Sequence, residues 1–297
     1  GWLVSDGPIL ENNIYHGEFY DARLEKPGWD TPEYSKRHRE ELKRDWKDPL
    51  VAEPPGGAMV SQMIEPIKVV QEIKPVSMND PQPNIYVYDL GQNIAGWARI
   101  KVDGQWGDKV VIKYAEILYD DGTVNQENLV GARATDVYIL RGDGIETYEP
   151  RFTYHGFRYI QIELSSSNIT VEDVVGRVVR SSVEHIGNFS CSNELLNQIH
   201  QNVVWTESNN LHSVPTDCPQ RSERMGWLND MTARCEEALY NFNLANFYSK
   251  WLKDIKDEQA EETGAITDTA PYVYGNRPAD PVSCYLVVAY SVYTHYG

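Results

Sequence analysis

Two hydrophobic periods divide the chain. From about residue 84 to 180 the apolar residues fall in short runs with partial period-2 alternation: "NIYVYDL", "WARIKV", "KVVIKYAEIL", "DVYIL" and "FRYIQIEL". Turn signals separate them at Asp103-Gly104, Gly107-Asp108, Asp121-Gly122 and Gly142-Asp143-Gly144. Short strands at this spacing, with no helical pattern between them, predict a β-sandwich. After "RSSVEHIGNFSCS" the period becomes helical. "NELLNQIHQNVVWTES" places Leu195, Leu196, Ile199, Val203 and Val204 on one face, with Ser192 as the expected N-cap. "NDMTARCEEALYNF" and "LANFYSKWLKDIKDEQ" are two more amphipathic stretches, with Asn243 between them as an expected cap. A fourth helix, "DPVSCYLVVAYSVYTHYG", starts from an Asp280-Pro281 signal. Successive helices without strands between them predict an αα array, either a bundle or a helical barrel.

The first 80 residues are less regular. "NNIYHGEFYDARLE" reads as strand or loop, "TPEYSKRHREELKRDWKD" as an exposed charged insertion, "AEPPGGAMVSQ" as a connector and "IKVVQEIKPVSM" as a further strand set. The expected division is therefore 1–80, the tail of one β domain with its connector; 81–182, the sandwich; and 183–297, the helical array. The chain opens without Met and stops directly after an apolar helix, which leads us to expect natural sequence on both sides.

Composition narrows the function classes. A formal net charge of −17 over 297 residues would repel nucleic-acid phosphates, so no nucleic-acid partner is expected. No apolar run reaches the roughly 18 residues of a membrane span, and no membrane partner is expected. The four cysteines (Cys191, Cys218, Cys235 and Cys284) form no CxxC, which argues against a zinc ribbon. Tyr outnumbers Phe by 19 to 6, a bias that suits sugar-stacking surfaces and sandwich cores alike.

The chemistry concentrates in "PTDCPQRSERMGWLND", Pro215 to Asp230, which holds three carboxylates and two guanidinium groups. Pro215 and Pro219 keep it from being helical, so the acids sit on irregular backbone at a helix entrance, where a scaffold can aim them into a cavity. Paired acids in a cavity suit glycoside hydrolysis, in which one protonates the leaving oxygen and the other activates water or attacks the sugar. The same residues also read as an N-cap followed by a salt-bridged Arg221, Glu223 and Arg224 face. A calcium loop is a third reading, although the D-x-[DN]-x-[DN]-G pattern is missing. The residues alone leave these alternatives open.

This stretch resembles the signature D-C-P-Q-R-D-E-R-x-G-W-x-G-D of bacterial α-L-rhamnosidases, an inverting glycoside hydrolase family. "YDLGQNIAGWARIKVDGQWGDKVVIKYAEIL" and "EPRFTYHGFRYIQIE" are similar to that family's concanavalin-like sandwich, and "GNFSCSNELLNQIHQNVVWTESNN" and "GAITDTAPYVYG" to parts of its (α/α)6 barrel. The resemblance implies an antiparallel β-sandwich followed by the first helices of that barrel. It also implies hydrolysis of terminal α-L-rhamnosyl residues, a rhamnose-containing glycoside or polysaccharide as partner, and neither cofactor nor metal. Glu223 matches the family's general acid, Asp217 and Asp230 match carboxylates that bind rhamnose hydroxyls, Arg221 a substrate-contacting Arg, and Trp227 an aromatic wall. The chain departs from the pattern at Ser222, where the family has Asp, and at Asn229, where it has Gly. The family's water-activating Glu lies further along than residue 297, so the chain is expected to carry half of the catalytic pair. Glu261, Glu262, Asp268 and Asp280 read as helix-end or turn residues. A non-catalytic rhamnose-binding protein, or a related barrel glycosidase acting on a different sugar, are the alternative functions.

Overall fold

The computed structural model describes residues 2–35, 46–274 and 282–297. Asp280 and Pro281, together with most of the charged run after Thr31, lie outside the described residues. Ten strands form one continuous, strongly curled sheet. In chain order they are β1 (Ile9–Asn13), β2 (Gly17–Asp21), β3 (Ile67–Ile73), β4 (Ser77–Gln82), β5 (Ile85–Asp103), β6 (Lys109–Ala115), β9 (Thr135–Ile139), β10 (Glu146–Tyr148), β11 (His155–Leu164) and β12 (Thr170–Ser181). The short pair β7 (Ile117–Leu118) and β8 (Val124–Asn125) forms its own ladder. The main path runs β1-β2-β9-β6-β11-β5-β12-β3, with β4 and β10 also paired to β5. One pair, β2 with β9, is parallel. "NNIYHGEFYDARLE" thus resolves into a hairpin that joins the sheet.

The runs "NIYVYDL" and "WARIKV", expected as separate strands, are a single 19-residue strand. Its first half pairs with β4 and β11 and its second half with β10 and β12, so it passes from one layer of the sandwich to the other. The register shift between Phe157 and Tyr159, opposite Ile94 and Asp89, shows where β11 follows that bend, and a second shift between Val171 and Asp173 lies at the far end of β5, opposite Val102 and Lys101. Ile94, Ala98, Ile100, Val102, Ile112, Phe157, Ile160 and Val178 fill the space that the curled sheet encloses.

The alternation in β9 buries the face with the polar residues. Asp136 and Tyr138 point into the core while Val137 and Ile139 are only partly buried. Buried charge requires partners, and Asp136 has them: it accepts from the Tyr114 hydroxyl at 2.6 Å, from the Glu18 amide at 2.8 Å and lies 3.3 Å from His155 Nε2. Tyr148 donates to Glu18 at 3.2 Å. This network fastens the N-terminal hairpin to the sandwich.

Four helices follow: α1 (Glu194–Asn209), α2 (Leu228–Asn241), α3 (Ala245–Asp257) and α4 (Val282–Tyr296). The α1 N-cap is Asn193 rather than Ser192, its side chain accepting from the Leu195 and Leu196 amides. Of the expected apolar face, Val204 packs on the helical core, whereas Leu195, Leu196 and Ile199 are exposed. Asn243 is not the cap of α3. That position belongs to Leu244, which makes no capping bond, and the Asn243 amide donates instead to the Glu184 carbonyl. Leu228, Met231, Leu239, Phe247, Trp251 and Ile255 form a second core. Helix α1 joins the two: Trp205 packs on the sandwich core, and Asn209 accepts from the Ala95 amide at 2.9 Å. No described helix is long and apolar enough to cross a membrane.

Candidate active site

The hairpin β13 (Leu211–His212) and β14 (Val214–Pro215) turns the chain out of α1 into the charged loop. From Thr216 to Trp227 the backbone is irregular, and α2 begins at Leu228. The loop is held on three sides. From the sandwich, the Leu129 and Val130 carbonyls accept from the Ser222 amide and hydroxyl. An Asp at that position could not donate to a carbonyl, so the serine departure is itself a tether. Gly156 of β11 lies so close that an added Cβ would sit 2.8 Å from Pro219 and 2.9 Å from Gln220.

From the N-terminal hairpin, Tyr15 donates its hydroxyl to the Glu223 carbonyl at 3.1 Å. Arg224 is buried and does not take part in a surface ion-paired face. Its guanidinium donates to the carbonyls of Ile14, Tyr154 and Gln220 and lies 4.6 Å from the Tyr154 ring and 5.4 Å from that of Tyr15. From the helical side, the Asp268 carbonyl accepts from the Leu228 amide at 2.9 Å. Gly226 passes so near this segment that a Cβ would stand 2.3 Å from the Ala270 carbonyl oxygen.

This scaffold brings four of the five expected side chains together. Glu223 accepts from the Trp227 indole N–H at 2.9 Å through Oε1, and Arg221 contacts its Oε2 at 2.5 Å. Arg221 is also 3.9 Å from Asp217 Oδ2. Asp217 Oδ1 accepts from the Met225 amide at 2.8 Å, whereas Oδ2 and the Arg221 Nε are buried atoms with no hydrogen-bond partner among the described residues. Burial pushes the Asp217 pKa up, hydrogen bonds from Cys218 and the Met225 amide oppose this, and the neighbouring Glu223 charge adds to it. The ring of Trp227 meets Tyr274 edge-on at 5.9 Å. Asp230 stands outside this cluster, exposed in the first turn of α2, and Asn229 beside it is also exposed. Glu261 and Glu262 are exposed on a turn.

Asp217, Cys218 and Glu223 present ligand atoms within 4.8 Å of one another and are the described residues best placed to hold a cation. Two features oppose that use. Burial, followed by the hydrogen bond to Asp217, pushes the Cys218 thiol up to about 11, so it stays protonated at neutral pH. The Arg221 guanidinium already rests against Glu223.

Ser222 and Arg224 lie within the charged stretch, but their tethering roles depend on partners distant in sequence, as do those of Tyr15 and Gly156. Tyr274 is marked only by the aromatic run "YVYG".

Three family models match the chain in order: the α-L-rhamnosidase N-terminal domain over residues 1–71, the bacterial α-L-rhamnosidase concanavalin-like domain over 79–180, and its six-hairpin glycosidase domain over 184–297. An α-L-rhamnosidase of Streptomyces avermitilis is 38% identical across 100% of this chain and 28% of its own length. One from Formosa agariphila is 34% identical across 89% of this chain and 27% of its own. Among solved structures, the α-L-rhamnosidase from Dictyoglumus thermophilum superposes with a TM-score of 0.88 at 45% identity, covering 98% of this chain and 33% of that one. The Streptomyces avermitilis enzyme complexed with L-rhamnose gives 0.80 at 37% identity, covering 90% and 25%. The chain thus spans about a quarter to a third of these relatives. A concanavalin-like sandwich, followed by a helical segment whose charged loop holds Glu223 between Trp227 and Arg221, agrees with these matches: the chain belongs to the bacterial α-L-rhamnosidase family.

Proposed function

We propose that the chain carries the acid-bearing part of an inverting exo-α-L-rhamnosidase, with Glu223 as general acid and Asp217, Arg221, Trp227 and Asp230 as the rhamnose contacts. The division into 1–80, 81–182 and 183–297 is part of the same proposal. The supporting observation is the way Glu223 is held. An indole N–H and a guanidinium only donate, so both oxygens act as acceptors in this arrangement, and Arg221 must move off Oε2 for that oxygen to carry the proton a general acid delivers. That proton passes to the glycosidic oxygen as the bond from the anomeric carbon breaks, and water adds from the opposite face as it loses its own proton to a base.

Asp217 is too near to be that base. Inverting pairs stand roughly 6.5–9.5 Å apart to admit the water, and the ligand atoms of Asp217 and Glu223 lie within 4.8 Å. The Asp217 carboxylate and the Arg221 guanidinium, 3.9 Å apart, instead offer an acceptor and a donor for sugar hydroxyls. On this reading the base is a carboxylate further along the family's barrel than residue 297.

The test is hydrolysis of an aryl α-L-rhamnoside by the full-length protein and by Glu223→Gln. Loss of a general acid costs about 10²–10⁴ in rate, and rhamnose binding is expected to survive. Rhamnose binding without release of the aryl group by the wild type would favour a non-catalytic binding protein. Release that Glu223→Gln leaves intact would refute the assignment of the acid.

A further inference from the structure

A second concave site lies away from the charged loop, between the N-terminal hairpin and the segment that follows β10. Its cavity of about 640 Å³ falls in the range of roughly 300–1,000 Å³ usual for small-molecule sites. Four aromatic rings line it: Tyr20, Trp29, Trp46 and Phe152. Trp29 is 63% exposed and Phe152 70%. Large ring faces left in water within one concavity mark a surface that something covers.

The walls are held in place before any ligand arrives. The Tyr20 hydroxyl donates to Glu25 Oε1 at 2.7 Å, and Arg141 donates to Glu25 Oε2 at 2.9 Å. Tyr20 also stacks on Tyr138 with centroids 5.8 Å apart. The Trp46 indole N–H donates to the Tyr34 hydroxyl at 3.1 Å. A preformed wall removes most of the ordering cost of binding. Glu25 and Arg151 place charge of both signs at the lining, and Arg151 lies near enough to Tyr20 to lower its hydroxyl pKa against the larger upward push of burial.

Flat apolar faces interleaved with hydroxyl-bonding groups of both signs fit a pyranose ring, which shows C–H groups on its faces and hydroxyls at its rim. The lining carries three acids, Asp6, Glu25 and Asp30, against two bases, Lys26 and Arg151, and on a chain of net charge −17 this selects against a polyanion. We propose that this cavity is a saccharide-binding site for a neutral oligosaccharide, separate from the residues that handle the glycosidic bond. The chain connects the two: Phe152 is two residues from Tyr154, whose carbonyl anchors Arg224 of the charged loop. A glycan chain held there would keep the enzyme on a polymeric substrate, an extension that rests on the rhamnosidase reading; the binding itself does not.

The experiment measures binding of L-rhamnose, cellotetraose and xylotetraose to the full-length protein by calorimetry, beside aryl α-L-rhamnoside hydrolysis. Trp29→Ala and Phe152→Ala remove exposed rings and leave the folded core intact. Saturable binding of at least one of the two tetrasaccharides is expected, weakened about tenfold or more by either change, with aryl-rhamnoside hydrolysis unaltered. Trp227→Ala is expected to do the reverse, impairing hydrolysis and sparing tetrasaccharide binding. Absence of saturable tetrasaccharide binding, or binding that neither Trp29→Ala nor Phe152→Ala weakens, would overturn the proposal whether or not the protein hydrolyses rhamnosides.

Discussion

Glu207 offers the most quantitative test of how the helical segment supports the loop. It lies near the end of α1 with its side chain 1% exposed, and Arg234 Nη1 is 3.4 Å from its Oε2. Its other oxygen, Oε1, is buried without a partner. Burial pushes its pKa from 4.5 up to about 7, the Arg234 charge opposing and Glu237 adding. Arg234 in turn donates to the Thr216 carbonyl at 2.9 Å, one residue before Asp217. A carboxyl that resists ionisation therefore sits behind the clamp on the charged loop.

The sign of the effect follows from linkage. The folded pKa is raised, so the folded state holds a proton that the unfolded chain gives up. The contribution is fully present below 4.5 and is lost as pH rises through about 7. That interval, at ~1.4 kcal/mol per pH unit, is worth about 3 kcal/mol, and the group is buried enough that solvent screening takes little of it. Glu207→Gln keeps the shape and cannot ionise. Urea denaturation followed by far-UV circular dichroism, at pH about 5 and about 8, should show the variant gaining on the wild type by up to about 3 kcal/mol at the higher pH. Parallel pH dependences of the two proteins would refute the reasoning, because the difference between them isolates this one proton.

Three further outcomes are expected. Tyr15→Phe removes the hydroxyl that holds the Glu223 carbonyl, a bond worth about 0.5–1.5 kcal/mol. It should lower kcat on aryl rhamnosides several-fold with KM little changed, and an equal fall in both would refute a positioning role. Gly156→Ala drives a methyl group into Pro219 and Gln220, and overpacking of this kind costs about 1–3 kcal/mol; full activity and stability would show that the loop yields without cost. Asp136→Ala strands the Tyr114 hydroxyl and the Glu18 amide at about 1–3 kcal/mol each, and an unchanged denaturation midpoint for the sandwich would contradict the network.

What could be read from the sequence follows the range of the forces involved. Strand alternation and helical period are local, and they located the sandwich and the helices. Alternation does not say which face is buried. In β9 the core took Asp136 and Tyr138 because a hydrogen-bond network was waiting for them, where hydrophobicity alone favoured Val137 and Ile139. The break expected between "NIYVYDL" and "WARIKV" failed for a related reason. Residues 85–89 pair with β4 and β11, and residues 96–103 with β12 and β10, so neighbours on both sides carry the ladder through as one bent strand.

The candidate site divides in the same way. Asp217, Arg221, Glu223 and Trp227 are legible because they share one short loop, and their mutual contacts at 2.5–3.9 Å need only that loop's own conformation. What sets the conformation is not local. Tyr15 reaches Glu223 across 208 residues of sequence, Arg224 reaches Ile14 across 210, and Ser222 reaches Val130 across 92. A motif records the groups gathered in one loop and omits those that hold them still. Arg224 shows the consequence: beside Glu223 it reads as one more surface charge, yet burial lowers its pKa, and it uses its donors on carbonyls from the hairpin turn and from the approach to β11. Its place in the sequence puts it in the loop, and its hydrogen bonds make the sandwich and the N-terminal hairpin part of the acid's support.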